Sequence, residues 1–239
     1  KKGAKDVTRS TQFSKASRAI IAASRACGGD LSNLALQSAI AHAKNIQLPK
    51  DRIQDAIDKH NHQKNKATND LLNLRYDGIV SIAGTKVSLL ILALSDNRNR
   101  TASNVRAAVT RAGGELLPTA SHDYLFSHVG MVLLENLIES KEDLLWECAM
   151  EAGATDVDID EDSSTTVITC ETKDLSNLVH SLQEVGLEPT EFENRYVLND
   201  PTTMAVSISS EGQERLEAFL EKMEEDMDVV NVFHNATID

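Results

Sequence analysis

Between residues 129 and 199 the apolar spacing changes period in a fixed order, and that order restricts the fold more than any other feature of the chain. Alternation at 130–135 predicts a strand, and helical spacing over 141–152 ends at Gly153. Two strands are expected at 156–160 and 165–170, around the acidic turn Glu161-Asp162. A second helix over 174–185 stops at Gly186, and a last strand covers 193–198. Strand-helix-strand-strand-helix-strand is the ferredoxin-like pattern.

The flanking segments do not make complete units on their own. Residues 87–94 read as a buried strand, followed by the polar loop 95–100 and a helix over 101–112 that Gly113-Gly114 ends. After Asn199-Asp200-Pro201 come a strand at 204–208, a helix with Leu216, Phe219, Leu220 and Met223 at helical spacing, and a strand at 229–233. The C-terminal elements can complete the sheet that the middle segment cannot close. The expectation is an α+β chain in which an N-terminal three-helix domain precedes two α+β (ferredoxin-like) domains, one inserted in the other. The limits are 1–75 for the helical domain, 76–128 with 200–239 for the discontinuous middle domain, and 129–199 for the insert.

The head carries the positive charge. Residues 1–75 hold 14 Lys and Arg against 6 Asp and Glu, residues 76–127 hold 5 against 4, and residues 128–239 hold 5 against 27. A net charge of −13 therefore hides a basic end and a strongly acidic body. Such asymmetry points to nucleic acid at the basic end, with the anionic remainder held away from phosphate. An acidic surface also serves solubility alone. In a helix over 11–26, ended by Gly28-Gly29, Phe13, Ser17, Ile20 and Ser24 share an inward face with Ala16 and Ile21, and Lys15, Arg18 and Arg25 form a cationic stripe. Lys1, Lys2, Lys5 and Arg9 extend that stripe along an expected arm. A second helix over 33–45 buries Leu36, Ala39, Ile40 and Ala43. A third opens at Pro49, with Ile53, Ala56 and Ile57 inward and Lys50 and Arg52 outward. His60-Asn61-His62 reads as the start of a polar linker. The loop before residue 101 offers a second anion site. There Asn97, Arg98, Asn99 and Arg100, with Arg106 further on, stand at a helix N-terminus whose free N–H groups favour phosphate.

Catalytic signatures are missing from the sequence. It has no GxSxG, no P-loop, no GxGxxG after a strand and no HExxH. Cys27, Cys148 and Cys170 have no metal-type spacing and read as small buried apolar groups. The carboxylates at 156–162 lack the glycine and terminal glutamate of a calcium loop. Glu221, Glu224, Glu225, Asp226 and Asp228 read as a solvated face. No cofactor and no metal are expected. No run of 18 apolar residues is present, so no membrane-spanning helix is expected. The chain starts at Lys1-Lys2-Gly3, which predicts a trimmed form.

The stretch Leu94-Ser95-Asp96-Asn97-Arg98-Asn99-Arg100-Thr101, with Val105-Arg106 and Gly113-Gly114, resembles the signature of the YebC family. Gly28-Gly29-Asp30, residues 39–44, Leu48-Pro49-Lys50-Asp51, residues 149–154 and Asn231-Val232-Phe233-His234-Asn235 agree with it. The family includes the mitochondrial translational activator of cytochrome c oxidase subunit one. The resemblance covers essentially the whole chain and implies the same three-domain layout, with a non-catalytic role in gene expression. It departs from the family where a Gly-Pro-Gly-Gly turn gives way to Ile79–Gly84, and where a Gly-rich turn gives way to Leu117-Pro118-Thr119-Ala120-Ser121. These departures look organellar and point to the mitochondrial matrix, with a bacterial cytoplasm as the alternative.

The reading that results is a monomeric, ribosome-associated, RNA-binding activator of mitochondrial translation, with ribosomal RNA or mRNA as partner. The alternative is a DNA-binding transcriptional regulator. A third reading is a protein adaptor that uses the acidic body to hold a basic partner.

Overall fold

The computed structural model describes residues 2–62, 71–135, 141–160 and 164–238, with side chains placed at 10–58, 71–135, 141–160 and 164–237. The chain divides into two compact units: Lys1–Ala19, His62–Ser127 and Val197–Asp239 form the first, and Ile20–Asn61 with His128–Tyr196 form the second. The architecture is α+β, with N-terminal helices followed by sheet-containing domains. Among the described residues no helix is long and apolar enough to cross a membrane.

The first unit is built on a sheet of order β3-β1-β2-β9. β1 (Leu72–Ile82) and β2 (Thr85–Ser95) form an antiparallel hairpin, in register from Leu72↔Ser95 to Ile82↔Thr85. Its two turn residues, Ala83 and Gly84, both have positive φ, 48° and 89°, as a two-residue hairpin with right-handed strand twist requires. Leu89, Leu90 and Ile91 are all fully buried. A strand covered on both faces explains the unbroken apolar run of β2. β9 (Val229–His234) pairs antiparallel with β2, so C-terminal residues complete the sheet. α4 (Arg98–Arg111) and α8 (Ser210–Glu224) cover it, placing Val105, Val109, Leu216, Phe219 and Met223 in one core with Val80, Val87 and Ile91. The strand expected at 204–208 does not join this sheet. Its residues form α7 (Pro201–Met204) and β8 (Val206–Ile208), and β8 pairs in parallel with β10 (Ala236–Ile238).

Residues 72–75, grouped with the helical head by charge, are strand. Asp77 and Gly78 interrupt the apolar pattern of β1 and make it read as loop. Asp77 is nevertheless fully buried. It accepts bonds from Arg75 Nη2 at 3.0 Å and from the Ala120 backbone N–H at 2.5 Å, which offset the cost of burying its charge.

The second unit has sheet order β5-β6-β4-β7, the ferredoxin-like arrangement. The strands are β4 (Phe126–Glu135), β5 (Ala154–Asp160), β6 (Thr165–Glu171) and β7 (Glu191–Leu198). α5 (Glu142–Glu151) and α6 (Leu175–Glu184) pack Leu145, Ala149, Leu178 and Leu182 onto Val132 and Ile168. α2 (Leu34–Asn45) and α3 (Lys50–His62) belong to this unit. Leu34 and Ala41 pack against its core. Ser38 Oγ donates to the Phe192 carbonyl at 2.5 Å, and Asn45 Nδ2 donates to Glu191 Oε1 at 2.9 Å. Alanine-rich helix contacts bury little area, and α2 gains the rest from the sheet. α3 continues through His62, where a linker was expected to have begun. Asp70 and the rest of 63–70 lie outside the described residues.

α1 (Lys2–Ala26) is helical from its second residue rather than an arm followed by a helix. Lysine and arginine are good helix formers, so a charged stretch without proline need not be loose. Cys148 and Cys170 are buried and Cys27 is half-buried, all as free thiols. Burial pushes the Cys170 thiol up to about 11, away from the reactive thiolate.

After α4, Gly113 takes φ +74°, and a Cβ on Gly114 would lie 2.0 Å from the Ile79 carbonyl oxygen of β1. Gly114→Ala therefore has to push backbone from backbone and is expected to lose about 1–3 kcal/mol. Thermal unfolding should show a midpoint several degrees lower, and an unchanged midpoint would mean that α4 and β1 do not approach this closely.

Candidate nucleic-acid interface

Three of the cations expected to face phosphate are bound to the chain's own oxygens, Arg100 while still exposed. Lys15 donates its amine to the Glu224 carbonyl at the end of α8. Burial lowers the Lys15 pKa, while the Glu224 and Asp226 carboxylates pull it back up. Arg18 donates to the Met227 carbonyl at 2.5 Å, the Leu94 carbonyl at 2.8 Å and Asp228 Oδ1 at 3.0 Å. Arg100 donates from Nη2 to Asp228 Oδ2 at 2.8 Å and to Asp96 Oδ1 at 2.9 Å. The stripe of α1 docks on the loop between α8 and β9. The reason is electrostatic: that loop supplies carbonyls and carboxylates closer than any solvent anion.

Asp228 is the centre of this arrangement. It is 3% exposed, although its place in an acidic run made it read as solvated. Besides the two arginines, the Ser95 hydroxyl donates to Oδ2 at 3.0 Å and the Thr101 hydroxyl lies 2.8 Å from the same oxygen. Ser95 and Thr101 are themselves fully buried. Leu94 N–H donates to the Asp228 carbonyl at 2.7 Å, where the β2–β9 register shifts at Leu92/Ala93. The anion that Arg100 meets at the start of α4 is the chain's own carboxylate. Burial alone would raise its pKa. The bonds from Arg100, Thr101, Arg18 and Ser95 outweigh that and hold it at about 2, against an ordinary 3.8.

Asn97 is also structural. It is the N-cap of α4, its side chain accepting the Arg100 N–H at 3.1 Å. Arg25 is half-buried and engaged. Of the cations expected at the interface, those left outward among the described side chains are Arg98 and Arg106 on α4 in the first unit, and Lys50 and Arg52 on α3 in the second. All four are exposed, as is Asn99. None of the four makes an ion pair among the described residues. Lys2, Lys5 and Arg9 lie on α1 with side chains outside the described set, and Lys1 lies outside the described residues. Among the described residues no group of three or more His, Cys, Asp or Glu could hold a metal ion.

A family model described as the TACO1/YebC N-terminal domain matches residues 1–63, and one described as the TACO1/YebC second and third domain matches residues 71–236. The chain belongs to the TACO1/YebC family. A "Probable transcriptional regulatory protein" of Rubrobacter xylanophilus is 35% identical over 100% of this chain and 91% of its own length. One of the same description from Rickettsia typhi is 34% identical over 98% of this chain and 90% of its own. The crystal structure of a conserved hypothetical protein from Aquifex aeolicus superposes with TM-score 0.77 at 30% identity, covering 97% of this chain and 91% of that one. In this TACO1/YebC chain, the block that carries the resemblance, Ser95 to Thr101, supplies most of the groups around Asp228.

Removing Asp228 leaves Arg18 and Arg100 facing each other without their anion. Asp228→Ala is expected to cost about 3–5 kcal/mol, read as a shift in urea midpoint. Because the folded pKa lies below the unfolded one, the carboxylate's stabilisation is complete above about pH 4 and is lost as pH falls through about 2. The wild type should lose roughly 2 kcal/mol across that window. Asp228→Asn should show a flatter acid limb, and parallel curves would contradict the assignment.

Proposed function

We propose that this chain is a non-catalytic regulator of gene expression that grips nucleic-acid phosphates. The observation that carries this reading is the state of Arg98 and Arg106. In a chain of net charge −13 they stand exposed on one helix without a carboxylate partner among the described residues. Surrounded by so many anions, arginines kept outward and unpaired are available to an external one. Lys50 and Arg52 offer the same chemistry on the second unit, and Lys2, Lys5 and Arg9 add charge at the N-terminal end.

RNA on a translating ribosome is our first reading of the partner. Aromatics are only 4% of the chain, so few side chains can stack on bases and contact is mainly to backbone and shape. DNA is the second reading. The printed names of the bacterial relatives favour it, since they describe transcriptional regulators. The mitochondrial matrix is supported by the departures at 79–84 and 117–121 alone. The relatives from Rubrobacter, Rickettsia and Gloeothece are bacterial, and the phosphate-binding reading holds in either compartment.

The test is anisotropy of a labelled hairpin RNA and a labelled DNA duplex, titrated with the full chain between about 50 and 200 mM salt. Affinity should fall steeply with salt, and Arg98→Glu/Arg106→Glu should reduce the slope by about one for each lost phosphate contact. Tighter binding to RNA supports the translational reading, and tighter binding to duplex DNA supports the transcriptional one. Affinity indifferent to salt and to these substitutions would overturn both.

A further inference from the structure

The chain's one tryptophan is on the outside of the second unit. Trp146 is 43% exposed, Met150 one turn further along α5 is 59% exposed, and Leu144 is 38% exposed. Leu145, Cys148 and Ala149 on the other side of the same helix are in the core. Helical spacing sets Trp146 and Met150 side by side on one edge of the exposed arc and Leu144 on the opposite edge. Asp143, Glu147 and Glu151, all exposed, form a row between the two edges. This surface does not follow from composition. Neighbouring α6 shows water only Ser176, Asn177, His180, Gln183 and Glu184 among its fully exposed positions. Large apolar side chains left out in a contiguous group mark a contact site more often than isolated ones do. Tryptophan and methionine are the side chains that binding surfaces favour.

The charge around the ridge selects the occupant. α5 carries four carboxylates, Glu142, Asp143, Glu147 and Glu151, and no lysine or arginine. Phosphate, and a lipid surface rich in anionic headgroups, are both repelled there. A polypeptide with apolar residues on one helical face and lysine or arginine beside them matches both the edge and the row. We propose that the outer face of α5 docks a basic amphipathic helical segment of a partner protein. Its apolar side chains cover Trp146 and Met150, and its cations lie along Asp143, Glu147 and Glu151. This surface is independent of the phosphate-binding cations on α3 and α4, and either could fail without the other.

Trp146 reports directly on its own occupation, because no second tryptophan contributes emission. The full chain is titrated with a tryptophan-free peptide of roughly 14 residues, leucines on one helical face and lysines flanking them. The expected result is a saturable blue shift of Trp146 emission. Asp143→Lys/Glu147→Lys/Glu151→Lys should weaken binding by about tenfold or more. Glu214→Lys/Glu217→Lys/Glu221→Lys on α8 changes net charge equally and should leave affinity within about twofold. Met150→Ala removes only exposed atoms and should weaken binding measurably if the first triple variant does not fold. Equal weakening by both triples, an unmoved emission spectrum at peptide saturation, or full affinity in Met150→Ala would overturn the proposal. So would a chain that sediments as a dimer dissociated by Trp146→Glu, since a second copy would then be what covers the ridge.

Discussion

A single buried carboxylate organises the first unit. Asp228 joins Arg18, 210 positions away, to Arg100, 128 positions away, and sits on Ser95 and Thr101 as well. A carboxylate taken out of water without partners would neutralise itself or destabilise the fold. Supplied with two guanidinium groups and two hydroxyls, it becomes a junction between the N-terminal helix, the start of α4 and the start of β9. Every bond its carboxylate accepts comes from a residue distant in sequence, so the junction forms only when α1, α4 and the start of β9 have been brought together. β9 follows the rest of the sheet in sequence, so the first unit closes only after β1, β2 and the second unit's strands have been synthesised.

The junction also divides the cations by role. Lys15, Arg18 and Arg100 are indistinguishable by residue type from Arg98, Arg106, Lys50 and Arg52. The first group faces carbonyls and carboxylates of the chain itself, and the second faces water. Much of the positive charge that an even count assigns to an external anion is therefore consumed internally. What remains for a ligand is smaller, more dispersed and placed on helices of both units. Asp77 repeats the scheme on a smaller scale, since Arg75 and the backbone of the 117–121 loop share its charge. That loop departs from the family's glycine-rich turn, yet it is fixed in place by the same kind of bond.

Regular elements with clear apolar periodicity were legible in the sequence. The ferredoxin-like order, the helix stop at Gly113-Gly114 and the inward residues Ile53, Ala56 and Ile57 all follow from spacing, because burial of one face is a local property. β1 was not legible, because Asp77 lies in it, and a buried charge betrays itself only through partners supplied by other segments. The position of Asp228 was hidden for the same reason. Its neighbours Glu224 and Glu225 are exposed, and nothing in the run Glu-Glu-Asp-Met-Asp marks which carboxylate faces inward. The one available hint was complementary: a helix with a cationic stripe in a chain so rich in acid has partners within reach. The tryptophan on α5 was likewise invisible to pattern, since its exposure depends on where the core face of the helix begins.

The chain leaves the first unit after Ser127 and re-enters it at Val197. The Ser127 hydroxyl bonds to the Asn199 side chain, and Asn199 N–H donates to the Leu125 carbonyl at 3.0 Å. The exit and return points are thus neighbours, and for the first unit the whole intervening stretch amounts to one long loop closed at its base. Lengthening such a loop adds only about (3/2)RT ln n to its closure cost. Material between those two points can accordingly be exchanged, enlarged or shortened over evolutionary time with little penalty to the host sheet, which makes this crossing the natural place for descendants of the fold to acquire new binding properties.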